Sequence, residues 1–325
     1  MARRLSRLVG IPWATTIALA TAWFGNSASA QWQAVPRGDA GAVAQAGCAL
    51  LVPPIFDPRP IPWEVRQVSG VEPVSVDDVR TTGREALAAI PLNRLTPTAQ
   101  KRIEAISNRP TLYRHLTQKS IRCDPELFLC LVRNPEILVG TWELMGITQV
   151  QTRRLDAYQM EAVDGSGTTC TVDLVYGDSA VHVYVAEGFY DGKMAPNKIN
   201  GKGLFVLRSS QEVDAAGNPV IRGSLDCFLQ IDQVAVDLLL RTFGPLIGRA
   251  ADHNFNETAR FIDQLGQSAE RNPEGLEELA MKMPQVSEAT RQQFITQVRH
   301  AARRYHERTF TTPVKFGGPA TVPSR

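Results

Sequence analysis

Three side chains that could carry acid–base or metal chemistry lie close together in the segment GRAADHNFNETARF, residues 248–261. Asp252 directly precedes His253, and Glu257 follows the histidine by four positions. That spacing places His253 and Glu257 on one face if the segment is helical. Because an imidazole beside carboxylates can move a proton or bind a metal ion, this segment is the first candidate site.

The same segment also fits the start of a helix. With Asn254 as the N-cap, Glu257 is the third helical residue, and N-x-x-E is a variant of the capping box. Asp252 then lies near the positive end of the helix, where an anion is stabilised. We favour this structural interpretation because it leaves only His253 unassigned.

An enzyme built on this segment would need further groups. No G-x-S-x-G motif occurs, and no cysteine lies in a recognised nucleophile signature. A zinc site needs three or four ligands, and no second cluster of histidine and acidic residues is evident. The glycine segments DGSGTT and INGKGLF lack the spacing of phosphate-binding loops. We therefore predict no metal and no cofactor, and we keep Asp252, His253 and Glu257 only as acid–base candidates.

His182 is the fourth candidate. In the strand-like stretch AVHVYV, His182 and Tyr184 share one face, and the valines at 181, 183 and 185 share the other. His182 could line a pocket, or it could lie half-exposed beneath a helix. His115, in TLYRHLTQK, is expected on a solvated helix face.

A small basic face is expected on the last helix, formed by Arg299, His300, Arg303, Arg304 and His306. It could contact acidic polysaccharide or lipid headgroups, or it could simply be a solvated helix surface.

The five cysteines are Cys48, Cys123, Cys130, Cys170 and Cys227. An odd number leaves at least one unpaired within a single chain. Cys123 and Cys130 would be about 10 Å apart inside one helix, too far to bridge. Cys170 and Cys227 fall in strand-like segments and are the better pair, with buried free thiols as the alternative.

The first 30 residues predict a secretory signal peptide. Three arginines and no acid precede a short apolar run, and Ala28-Ser29-Ala30 fits a signal-peptidase site. We favour the general secretory route, with an uncleaved anchor as the alternative. Without this segment the formal net charge falls from +2 to −1, so nothing indicates a nucleic-acid partner. We expect export to the periplasm, the cell surface or the medium, and no transmembrane span in the mature chain.

The remaining residues predict one α+β domain at 76–310. A proline-rich lead-in at 31–75 and a flexible tail at 311–325 flank it. Residues 76–146 read as short helices, because Thr96-Pro97, Asp124-Pro125 and Asn134-Pro135 each place a capping side chain before proline.

Residues 147–229 change to strand periodicity with short polar turns, which predicts an antiparallel sheet of about five or six strands. Residues 230–309 return to helical periodicity, with helices near 254–271, 273–283 and 287–309. We expect these C-terminal helices to cover one face of the sheet.

Three stretches, NPEILVGTWELMGITQV, DGSGTTCTVDLVYG and RTFGPLIGRAADHNF, resemble a family of exported bacterial proteins over most of residues 120–305. The resemblance implies export but no activity and no site. From the motifs, we expect a non-catalytic exported protein that binds a cell-envelope component or a small ligand, or serves as an interaction protein. The alternative is a hydrolase or lytic enzyme that uses Asp252 and His253 as its acid–base element.

Overall fold

The computed structural model describes residues 83–193, 197–231 and 236–311, with side chains described at 83–193, 197–231 and 251–309. The predicted signal peptide and lead-in therefore lie outside the described residues, as does the tail from 312 onward. None of the described helices is long and apolar enough to cross a membrane.

A seven-stranded antiparallel sheet forms the centre of the fold, which confirms the α+β class. Its strands are β1 (Leu112–Arg122), β2 (Gln151–Asp156), β3 (Gln159–Val163), β4 (Thr168–Gly177), β5 (Val181–Tyr190), β6 (Ile199–Val213) and β7 (Pro219–Ile231). The order across the sheet is β1-β7-β6-β5-β4-β3-β2. Strands β2 to β7 are the consecutive meander that the short polar turns predict. The sheet has seven strands and not the predicted five or six, because β1 is added from the segment that was expected to be helical.

Strand β1 corrects the prediction of helices throughout 76–146. The sequence LYRHLTQKSIR has no clear two-residue alternation, because a bulge between Leu116 and Lys119 shifts the register against β7. Pairing with β7 is a contact between distant parts of the chain, and it overrides the local pattern.

The N-terminal helices are a helical segment at 83–88, a 3-10 turn at Leu92–Arg94, α1 (Pro97–Ser107), α2 (Pro125–Arg133) and α3 (Glu136–Leu144). Two predicted caps are confirmed: Thr96 accepts from the Ala99 N–H, and Asp124 accepts from the N–H groups at 126 and 127. The third is wrong, because the Asn134 side-chain amide donates to the Cys130 carbonyl at 2.9 Å. Asn134 therefore closes α2 and does not cap the start of α3.

The C-terminal helices are α4 (Val236–Arg271), α5 (Pro273–Met281) and α6 (Glu288–Thr311). Asn272 caps α5 by accepting from the Gly275 N–H at 3.1 Å, and α5 and α6 match their predicted ranges within two residues. Helix α4 differs, because it is continuous where the sequence suggested a fresh start at 254.

Helices cover both faces of the sheet. The inner face, which carries Tyr184 and Ala186, packs against α2 to α6. The outer face, which carries Val183 and Val185, packs against apolar side chains of residues 86–106. The alternation predicted for AVHVYV is thus confirmed. The C-terminal helices do cover one face, but α2 and α3 share that face, and only the chain before β1 covers the other.

The two edge strands are protected by side chains and close packing. Along β1, the Arg122 N–H donates to Asp263 of α4 at 2.7 Å. A Cβ at Gly266 would lie 2.6 Å from the Arg122 carbonyl oxygen, so glycine allows α4 to approach the strand. At the opposite edge, the Thr152 N–H donates to the side chain of Gln285. Neither edge offers a free ladder at these positions.

Cys170 and Cys227, the better candidate pair, do not form a disulfide, and the alternative of buried free thiols is confirmed for the described cysteines. Both thiols are buried and free, as are those of Cys123 and Cys130. Cys170 lies on β4 and Cys227 on β7, with β5 and β6 between them. Three strand spacings alone separate them by at least about 14 Å, far beyond disulfide reach. Cys48 lies outside the described residues.

Candidate functional site

The proposed capping box at 254 is wrong. Helix α4 begins at Val236, so Asn254 lies well inside it, where its backbone needs no cap. The misreading has a physical cause: Gly244, Pro245 and Gly248 weaken helix propensity and suggest that a helix starts only after them. Asn254 is buried, whereas the Glu257 carboxylate is half exposed and lies 3.8 Å from Arg260.

The remaining members of the opening segment do not converge on a shared cleft. The Asp252 carboxylate accepts from Arg114 of β1, with the Arg114 Nε at 3.2 Å from Oδ1 and a second, shorter contact to Oδ2. His253 is exposed on the same helix. Asp252 therefore joins α4 to the edge strand and does not orient His253.

His182 is fully enclosed, not half-exposed as one alternative had it. The Arg133 Nε donates to its Nε2 at 3.4 Å, so the proton of the neutral ring sits on Nδ1, for which the described part of the chain provides no hydrogen-bond partner. Burial, and then the charge of Arg133, lowers the pKa of His182 to about 4. The ring lies nearly parallel to Tyr184, whose hydroxyl donates to the Val132 carbonyl at 2.9 Å. These contacts fasten the end of α2 to β5, and the two rings are buried although Arg133 is exposed.

Within the described residues, two small hollows adjoin the inner face. The first, about 30 Å³, is apolar and lies between β7, α2 and α4, with Phe128, Leu131, Phe255 and Ile262 in its wall. The second, also about 30 Å³, lies over Gly188, Gly201 and Gly203. Such a volume holds about one water molecule, whereas a small-molecule site occupies roughly 300 Å³ or more. Neither hollow is a ligand cavity.

The arrangement most typical of a functional site surrounds Asp226, on the outer face of β7. The register places His115 of β1 directly opposite Asp226, and β6 brings Arg208 in from the other side. Three donors converge on the carboxylate: the Tyr113 hydroxyl at 2.8 Å and His115 Nδ1 at 2.8 Å on Oδ1, and the Arg208 guanidinium at 2.9 Å on Oδ2. We call these four residues the Asp226 group.

Burial and exposure are divided unequally within the Asp226 group. The Asp226 side chain is 0% exposed, whereas those of His115 and Arg208 are 30% and 29% exposed. Taking a carboxylate out of water costs several kcal/mol unless charges and hydrogen bonds replace the water, and here three donors do so. The carboxylate therefore acts as a fixed anchor that holds two surface groups in place.

The protonation of the group follows from its contacts. Burial, and then the hydrogen bond to Asp226, raises the pKa of the Tyr113 phenol above its ordinary value, so Tyr113 remains a donor. Because the ionised carboxylate can only accept, His115 donates from Nδ1 and leaves Nε2 as the outward nitrogen. The Arg208 Nε is buried and has no partner among the described residues. The group thus offers a ligand the His115 nitrogen that does not contact Asp226 and the exposed part of the Arg208 side chain.

Sequence reasoning missed this group because His115 was assigned to a helix face. Its partner lies 111 positions away. The only local signal is an acidic residue within an otherwise apolar stretch, SLDCFLQ, of a predicted strand. A buried carboxylate there demands partners from neighbouring strands, but the sequence does not say which.

The predicted basic face is largely neutralised. Arg299 pairs with Glu277, and Arg304 makes two contacts with Asp124, at 2.7 and 2.6 Å. Within the described part of the chain, no three His, Cys, Asp or Glu side chains are grouped to hold a metal ion.

Comparisons with known proteins give fold-level similarities of low score. No protein-family model matches the chain, and no curated protein sequence matches it. A conserved protein from Geobacillus kaustophilus is similar at 7% sequence identity and a TM-score of 0.33, over 47% of this chain and 96% of that one. A hypothetical protein from Helicobacter pylori is similar at 9% identity and a TM-score of 0.35, over 49% and 92%. An uncharacterized protein from Rhizobium leguminosarum is similar at 14% identity and a TM-score of 0.29, over 45% and 96%. These scores support no inference about function.

Proposed function

We propose that the protein is an exported, non-catalytic binding or interaction protein that recognises a small ligand or a cell-envelope component through the Asp226 group. One observation carries this proposal: a fully buried carboxylate fixes two partly exposed polar side chains, and His115 Nε2 has no hydrogen-bonded nucleophile among the described residues. A hydroxyl or thiol nucleophile that is activated by a histidine base must lie within hydrogen-bond reach of that base. A rigid polar anchor without one is suited to binding.

Export is supported by the pattern of residues 1–30. The buried thiols are compatible with an oxidising compartment, since burial raises the pKa of both Cys130 and Cys170 to about 12 and keeps them protonated.

The alternative, a hydrolase that uses Asp252 and His253, has weaker support. In such an enzyme the carboxylate would orient the imidazole. Here Asp252 is bonded to Arg114 instead. A His253→Ala variant separates the two proposals, since a binding protein keeps its ligand and its melting temperature, whereas the hydrolase loses turnover.

The test of the binding proposal uses mature protein purified from the exported fraction. Thermal-shift measurements with cell-envelope fragments and small metabolites should identify a ligand that raises the melting temperature. His115→Gln should reduce that shift, and His300→Gln is the matched control on a distant helix. The wild-type protein should also be assayed for hydrolysis of ester, glycoside and peptide substrates. Activity that is lost in His115→Gln or His253→Ala would contradict the non-catalytic proposal.

A further inference from the structure

We propose that Arg208 and His115, held side by side on Asp226, bind the carboxylate group of a small organic acid, and that binding takes up one proton on His115. This inference rests on the proposed binding function and names its ligand class.

Strand register puts the necessary groups on one surface. Arg208 of β6 lies opposite Ser224 of β7, and His115 of β1 lies opposite Asp226. Because residues 224 and 226 are two apart on one strand, they share the outer face. Ser224 is partly exposed and lies on the outer face beside Arg208. Three strands thus contribute one donor side chain each.

Charge decides which ligand fits. Asp226 and Arg208 cancel, so the group is neutral with a neutral histidine and carries +1 when His115 is protonated. A single carboxylate restores neutrality, whereas a phosphate dianion would leave a net negative charge beside a buried carboxylate. The planar guanidinium of Arg208 also matches carboxylate geometry, and the Arg208 side chain is 29% exposed.

Other charged groups nearby do not change this sum. The helical segment 83–88 packs on Tyr113 through Gly83, and it brings the exposed side chains of Arg84 and Glu85, one of each sign. Further along the outer face, Arg222 pairs with Glu212 at 2.6 Å. The net charge of the surface is therefore set by the protonation of His115.

The proton requirement follows from the hydrogen bond to Asp226. A neutral His115 donates from Nδ1 to the carboxylate, so its outward Nε2 carries a lone pair and repels an anion. A bound carboxylate needs an N–H at that position. The proton comes from the solvent or its buffer, and the buried Asp226 stabilises the resulting imidazolium.

The experiment is isothermal titration of the mature protein with acetate, in two buffers of equal pH and different ionisation enthalpy. The difference in heat between the buffers gives the number of protons taken up per acetate bound. We expect uptake close to one for the wild type and close to zero for His115→Gln. Arg208→Met should weaken acetate binding by about tenfold or more, equivalent to about 1.4 kcal/mol. Arg222→Met, on the same face but paired with Glu212, should leave it unchanged.

Several outcomes would overturn the inference. The inference fails if folded wild-type protein does not bind acetate, or binds it without taking up a proton. It also fails if Arg208→Met and Arg222→Met weaken acetate binding equally, or if inorganic phosphate binds more tightly than acetate. Circular dichroism of each variant establishes that it is folded, and Ser224→Ala provides a milder variant expected to weaken binding if Arg208→Met does not fold. If acetate fails while another ligand raises the melting temperature, the carboxylate assignment falls and the binding proposal stands.

Discussion

At the scale of single residues, the contrast between Asp226 and Asp252 shows how burial changes the contribution of an ion pair to the free energy of unfolding. The Asp226 side chain, which pairs with Arg208, is 0% exposed. In the other pair, the side chains of Asp252 and Arg114 are 41% and 43% exposed. Water screens the exposed pair, and removal of one member costs little. Removal of the buried carboxylate leaves a guanidinium and two further donors without their acceptor.

We therefore expect Asp226→Asn to lower the free energy of unfolding by about 3 kcal/mol, and Asp252→Asn by less than about 1 kcal/mol. Urea denaturation followed by circular dichroism measures both. Equal losses in the two variants would mean that the Asp226 carboxylate is not held as the structure shows.

His182 predicts a specific acid sensitivity. Its pKa is about 4 in the folded protein, below the ordinary value of 6.5 for an unfolded chain. The unfolded state therefore binds the proton first, and stability is lost as pH falls from about 6.5 to about 4. The total loss is on the order of 3 kcal/mol, since each pKa unit corresponds to about 1.4 kcal/mol. His182→Phe should remove this part of the pH dependence of unfolding, and the exposed control His253→Phe should not. Parallel pH profiles for wild type and His182→Phe would contradict the assignment.

Residue types alone could not locate the Asp226 group. His182 and Asp252 drew notice from local spacing, yet their observed contacts are structural. The pair of His115 and Asp226 depends on strand register across a sheet, which no local spacing encodes.

At the scale of elements, the cap-then-proline pattern was a reliable guide where the cap had no competing partner. Thr96, Asp124 and Asn272 all accept from the first turn of the following helix. Asn134 failed because its amide is used by the preceding helix. Strand β1 was missed for a different reason, since its bulge hides the alternation by which strands are recognised.

Asp124 does more than cap α2, because its carboxylate also accepts two hydrogen bonds from Arg304 of α6. Asp124→Ala should therefore lower the free energy of unfolding by about 3 kcal/mol. The loss of a simple cap in Asn272→Ala should lower it by only about 1 kcal/mol. Chemical denaturation of the two variants checks the difference. A double-mutant cycle with Arg304→Ala should show a coupling energy, and strict additivity would contradict the contact between the helices.

At the scale of the whole molecule, sequence periodicity predicted the class, the meander and the C-terminal helices. It did not predict that the sheet is covered on both faces. Strands β5 and β6 are apolar on both sides, and this is the pattern of a buried sheet. The helices that cover the outer face lie before β1 in the chain, a placement that follows from packing and not from any local signal.

The four described cysteines also behave as a property of the whole fold. All are buried and unpaired, so they should react with a thiol reagent only when the molecule unfolds. In a Cys48→Ser background, we expect negligible labelling under native conditions, full labelling in denaturant, and a melting temperature independent of reductant. Rapid native labelling, or a lower melting temperature with reductant, would show an exposed thiol or a disulfide.

The pairing of β1 with β7 has a consequence for the order in which the chain folds. Strand β1 can pair only after β7 has been synthesised, because Leu112 pairs with Leu229. The edge of β1 is then covered by α4, which follows β7 in the chain. A ribosome-bound chain that ends before β7 has neither the partner of β1 nor an acceptor for His115. The sheet therefore closes only after β7 has been synthesised, and the edge of β1 is covered only after α4 has followed.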